Sequence, residues 1–127
     1  MNAPSPLADR NRLSAHPREM RRVVLESPYA GDVEANLEYA RACLRDCLMR
    51  GESPVASHVL FACTGTLDDA NPVERAVGIN VGHSWMYVAD AIVVYTDRGI
   101  SKGMEAGIRT ASFHGLTVEY RKLEASS

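Results

Sequence analysis

The chain has 127 residues, 46% of them hydrophobic, a length and composition that suit one domain with an ordinary core. With a net charge of −2 and a pI near 6.1 it carries no basic footprint for a nucleic-acid polymer. It holds no apolar run of membrane-spanning length and no signal-peptide pattern, so a cytoplasmic protein is expected.

The first 20 residues hold Pro4, Pro6 and Pro17 among polar and charged residues without apolar periodicity. They read as a disordered or loosely attached tail, leaving residues 21–127 as the single folded domain. Cys43, Cys47 and Cys63 are odd in number and follow no secreted disulfide framework, which fits reduced thiols. Cys43 and Cys47 share a helix face, but that face is apolar and no second closely spaced pair completes a tetrahedral set. Neither a metal nor a cofactor is expected. No P-loop and no Gly-x-Gly-x-x-Gly is present, which argues against a triphosphatase or a dehydrogenase.

Arg22-Val23-Val24-Leu25-Glu26 reads as the first strand, and Ser27-Pro28-Tyr29-Ala30-Gly31-Asp32 is turn chemistry directly after it. Asp32 can cap a helix whose apolar positions Val33, Leu37, Ala40, Leu44, Cys47 and Leu48 step mostly by three and four, with Gly51 ending it. Val55 to Phe61, including Ser57-His58, reads as the second strand or its exit, and Cys63 to Ala70 as a small-residue acidic loop able to lie over the strand ends.

Asn71-Pro72 looks like an N-cap with a first-turn proline, opening a helix that runs to about Ala89. Gly78 and Gly82 interrupt it at a spacing of four, which lets another backbone approach closely; with Trp85, Met86 and Tyr87 following, the Asn71–Ala89 helix is expected at a subunit interface of a homodimer or higher homo-oligomer.

Ala91-Ile92-Val93-Val94-Tyr95 is an apolar, partly β-branched run of the kind found in parallel strands buried on both faces. Asp97 and Gly99 break it. Ser101 then caps a helix through Ile108, Ala111 and Phe113 to Gly115, and Leu116 to Tyr120 alternates as an edge strand. Four strands joined by three helices predict an α/β fold: a small open parallel sheet in the order 2-1-3-4, a Rossmann- or flavodoxin-like three-layer sandwich. In that order the exits of the first and third strands are neighbours.

That switch point brings the Tyr29 turn beside the Ser101 corner, where ligands bind in open α/β sheets. Glu105, in the first turn of its helix, sits where the dipole favours an ionised carboxylate able to stabilise or attack an oxocarbenium-like sugar carbon. Asp97, Asp32 and Tyr29 are candidates to manage the proton on a leaving base. Ser101 with the exposed N–H groups of Lys102 and Gly103 is suited to a phosphate or ribose hydroxyl; Ser27 and His58 stand at neighbouring strand ends.

Ala89-Asp90-Ala91-Ile92-Val93-Val94, then Gly103-Met104-Glu105-Ala106-Gly107 and a helix ending at Gly115, resemble the nucleoside 2-deoxyribosyltransferase superfamily and its deoxynucleoside monophosphate N-glycosidase relatives. In that family a glycine, a bulky residue, a nucleophilic glutamate, a small residue and a glycine open the corresponding helix, so the resemblance implies Glu105 as nucleophile. Ser27-Pro28-Tyr29-Ala30-Gly31-Asp32 resembles the family's first-strand loop and implies Tyr29 near the base; Ser57-His58 resembles the polar exit of its second strand. Gly99-Ile100-Ser101-Lys102-Gly103-Met104 is also similar to small phage and bacterial proteins related to this superfamily. The family's aspartate or serine six residues before the glutamate is Gly99 here, with Asp97 and Ser101 two positions to either side. The implied function is cleavage of the N-glycosidic bond of a nucleoside or nucleoside monophosphate; the alternative is a non-catalytic module that binds or senses a nucleotide or NAD derivative in the same cleft.

Overall fold

A computed structural model describes residues 16–123. Most of the expected N-terminal tail lies outside that range; within it, Pro17–Glu19 forms a single 3-10 turn capped by the His16 ring.

Four parallel strands, β1 (Arg21–Glu26), β2 (Glu52–Val55), β3 (Ala91–Tyr95) and β4 (Thr117–Arg121), form one sheet in the order β2-β1-β3-β4. Helices α1 (Val33–Met49), α2 (Pro72–Ser84) and α3 (Lys102–Phe113) make the crossovers. The fold is therefore the small open α/β sheet expected from the strand–helix rhythm. β3 is buried along its whole length, and β1 pairs with it from Val23↔Ala91 to Glu26↔Val94. Strand alternation splits the core in two. Val23, Leu25, Val93 and Tyr95 pack with Tyr39, Cys43 and Cys47 of α1, while Val24, Ile92 and Val94 pack with Met86 and with Met104 and Ala111 of α3.

On the α1 side an ion network ties the sheet edges together. Arg121 of β4 donates to both carboxylate oxygens of Glu52 at the start of β2, at 2.8 and 2.6 Å, and Arg21 of β1 bridges Glu52 and Glu119. Arg121 and Glu52 are both largely shielded from water, and each has a second partner, Glu119 for Arg121 and Arg21 for Glu52, so the charges are compensated as a network.

Two boundaries differ from the sequence reading. Of the stretch Val55–Phe61, read as the second strand or its exit, only Val55 is strand: β2 is Glu52–Val55, and its exit winds at His58–Ala62 into one π-type turn. Apolar character misled here, because the short edge strand Glu52-Ser53-Pro54-Val55 is mostly polar while the apolar run after it is helical. The helix from Pro72 stops at Ser84 and tightens into a 3-10 turn at Trp85–Tyr87, so it does not reach Ala89.

Within the chain the neighbours of Gly78 and Gly82 are side chains. A β-carbon on Gly82 would lie 2.6 Å from Ser57 Oγ and 3.1 Å from Ser57 Cβ, whereas one on Gly78 would meet only Leu67 Cδ1 at 3.3 Å. Gly82→Ala should therefore lower stability by about 1–3 kcal/mol through overpacking against Ser57. Gly78→Ala faces a flexible side-chain tip and should be neutral or stabilising by up to about 1 kcal/mol from helix propensity. Urea unfolding of the two variants checks the contrast; equal effects would contradict it.

Candidate functional site

At the carboxyl ends of β1 and β3 lies a cavity of about 420 Å³. β1 contributes Glu26 and the turn residues Ser27 and Tyr29, the π-type turn contributes His58, α2 contributes Arg75 and His83, and the start of α3 contributes Ser101, Lys102 and Gly103. Ser101 caps α3, its hydroxyl accepting from the Met104 N–H at 3.3 Å, so the free amides of the first turn sit at the cavity rim.

Ser27 Oγ and His58 Nε2 lie 2.9 Å apart. Burial pushes the His58 imidazole down to about 4, so it is neutral at physiological pH and can accept from or donate to Ser27. The Tyr29 ring meets His58 edge-on, with centroids 6.2 Å apart, and the Tyr29 phenol is raised by burial and by its neighbour Cys63. His83 Nδ1 lies 3.3 Å from Thr110 Oγ1, which donates to the Ala106 carbonyl, and burial lowers this imidazole as well.

Six of the nine residues anticipated from sequence, Ser27, Tyr29, His58, Ser101, Lys102 and Gly103, line this one cavity. The other three lie elsewhere. Glu105 is exposed and is not among the lining residues; only its backbone is engaged, the N–H donating to the Ser101 carbonyl. Asp97 faces α1 instead, accepting from the Tyr39 hydroxyl at 2.6 Å and from the Leu123 N–H at 2.9 Å, which fastens the chain after β4 to the end of β3. Asp32 is the exposed N-cap of α1, accepting from the Ala35 N–H.

Two other carboxylates line the cavity, Asp69 and Glu26, and of these Glu26 belongs to the sheet. Its side chain lies against α3 at Gly107, where a β-carbon would stand 2.6 Å from Oε2 and 2.8 Å from the carboxyl carbon. Gly107 is thus the seat of Glu26. Among the described residues no cation or hydrogen-bond donor pairs with this carboxyl, and burial pushes it up to about 8. A signal for it existed in the sequence: Glu26 falls two residues after Val24, on the core-facing side of β1, and Gly107 interrupts an otherwise good helix.

The thiols are of a different kind. Burial raises Cys43 to about 12 and Cys47 to about 11, so both are inert packing groups in the α1 core.

A family model described as a domain of unknown function, DUF7768, matches residues 21–121. The chain belongs to this family. The DUF7768 match begins with β1 and ends with β4, so it contains every strand and helix that shapes the cavity. No curated protein matches the chain.

Glu26 makes stability depend on pH in a definite direction. Its folded-state value of about 8 lies above the ordinary 4.5, so between those values the native state holds a proton that the unfolded chain has released. The stability tied to the neutral acid is full below pH 4.5 and is lost as the pH rises through 8. Glu26→Gln carries no such proton and should melt higher than the parent at pH 9 while gaining little at pH 5. Thermal melts at both pH values check this; an equal offset at the two would contradict it.

Proposed function

We propose that the cavity binds a nucleoside or nucleotide. The observation that carries the reading is the meeting of the Ser27–Tyr29 turn and the Ser101–Gly103 helix start around one cavity of about 420 Å³. Such a volume lies in the range of small-molecule sites, and it stands where the strand order reverses between β1 and β3.

The cavity lining offers two kinds of chemistry. Lys102, Arg75 and the first-turn amides of α3 suit a phosphate or the hydroxyls of a pentose. Tyr29, Ile79 and the neutral His58 offer aromatic and apolar surface to a base. The resemblance of Gly103-Met104-Glu105-Ala106-Gly107 and its flanking strands to nucleoside 2-deoxyribosyltransferases points to the same ligand class.

A second reading, cleavage of the N-glycosidic bond, is favoured by one observation: the cavity contains a carboxyl able to carry a proton at neutral pH. A neutral acid beside a leaving base can protonate it. Glu105, being exposed, is not positioned for the nucleophilic form of that chemistry. Glu26 takes its place as the group to test.

Incubating the protein with nucleosides and nucleoside monophosphates gives both answers. Binding predicts a ligand-dependent rise in melting temperature, weakened for monophosphates more than for nucleosides in Arg75→Ala and Lys102→Ala. Absence of a shift with every ligand would overturn the reading. Free base detected by chromatography, lost in Glu26→Gln and retained in Glu105→Ala, would establish cleavage as well.

A further inference from the structure

We propose that Glu26, seated on Gly107 at the cavity wall, reads the base of the bound ligand, its carboxyl pairing with a heterocycle edge that presents an acceptor beside a donor, such as N1 and the 6-amino group of adenine. The inference rests on the nucleotide reading above and deepens it by naming how the ligand is selected.

The geometry begins with Gly107. Any other residue there would push a β-carbon into the Glu26 carboxyl, which the glycine instead admits flat against α3. The carboxyl lines the cavity, yet among the described residues it has neither a hydrogen-bond donor nor a cation within ion-pair distance. With no partner among those residues, its oxygens are reachable from the cavity, so a ligand bound there is placed to pair with them.

The protonation state fixes which partner fits. A neutral carboxyl offers one O–H donor and one carbonyl acceptor side by side, whereas the ionised form offers two acceptors. Adenine and cytosine present acceptor–donor edges and no edge with two adjacent donors. Guanine alone among the common bases has both kinds, its N1–H and 2-amino group forming a donor pair that an ionised carboxylate accepts.

The charged and titratable groups around Glu26 come from every neighbouring element: His58 from the π-type turn, Asp69 from the loop before α2, Arg75 and His83 from α2, Lys102 from α3 and Tyr29 from the turn after β1. Burial lowers both imidazoles and raises the phenol, so none of these three changes charge between pH 7 and pH 9. Glu26 does, with its midpoint at about 8. On β3 its register neighbour is the uncharged Val94.

Isothermal titration of the full chain with AMP, CMP and GMP at pH 7 and pH 9 tests the assignment. From the midpoint of about 8, roughly a tenth of the acid remains protonated at pH 9, so AMP and CMP should weaken about tenfold between the two pH values while GMP holds. Glu26→Gln mimics the neutral acid, an amide presenting a donor beside an acceptor, and should bind AMP and CMP alike at both pH values. Glu26→Ala should bind all three without preference. A parent protein whose AMP-to-GMP ratio does not change with pH, or a Glu26→Gln variant that weakens as the parent does, would overturn the role of Glu26 and leave nucleotide binding standing. Failure of the folded parent to bind any of the three at either pH would overturn both.

Discussion

The site depends on one pairing, that of β1 with β3. Their register, Val23↔Ala91 through Glu26↔Val94, sets two strands side by side whose following segments leave in opposite directions, one toward α1 and the other toward α3. Where those segments part, the sheet leaves a gap that no strand connection crosses, and the cavity occupies it. Because β3 is apolar and buried throughout, the pairing is held by the core and not by the loops it serves. The loops are then free to carry polar residues: Ser27 and Tyr29 after β1, Ser101 and Lys102 before α3.

The packing on the two faces of the sheet serves different ends. Against α1 the structure is closed: Tyr95 donates to Asp46 at 2.6 Å, Arg121 spans the sheet to Glu52, and Asp97 receives both the Tyr39 hydroxyl and the Leu123 amide. Every one of these polar groups has its partner within the fold, so this face spends its hydrogen bonds on rigidity. On the other face two glycines leave room where a side chain would ordinarily stand. Gly82 admits Ser57, bringing the exit of β2 under α2, and Gly107 admits the Glu26 carboxyl against α3. The polar groups on this face thus reach the cavity without displacing the core of Val24, Ile92, Val94 and Met104.

The scaffold was largely readable from residue pattern. The apolar run Ala91–Tyr95 marked a central strand, Asn71-Pro72 and Ser101 marked helix starts, and Gly115, with φ of +71°, marked a helix end, because each depends on local chemistry alone. β2 was harder: its four residues, Glu52-Ser53-Pro54-Val55, are recognised as a strand only through their pairing with Arg21–Val24. Site composition followed the same division. Residues in the two loops, such as Tyr29 and Ser101, could be placed by topology, since both loops leave the same edge of the sheet. Which carboxylate faced inward could not. A glutamate four positions past an N-cap and another at a strand end differ only in the direction their side chains take, and tertiary packing decides it: α3 turns Met104 and Gly107 toward the sheet and leaves Glu105 outside. Asp97 shows the same effect, since a turn aspartate beside the expected site serves the opposite face once Tyr39 lies within reach.

A carboxylic acid held neutral inside a cavity, with a glycine for its seat and no counter-ion among the described residues, is the feature on which the account turns. The most direct measurement is a titration of the Glu26 side-chain carboxyl by ¹³C NMR in the free protein. The account predicts a midpoint near 8. A midpoint in the ordinary glutamate range, near pH 4 to 5, would show the group ionised and solvated at neutral pH, and would contradict it.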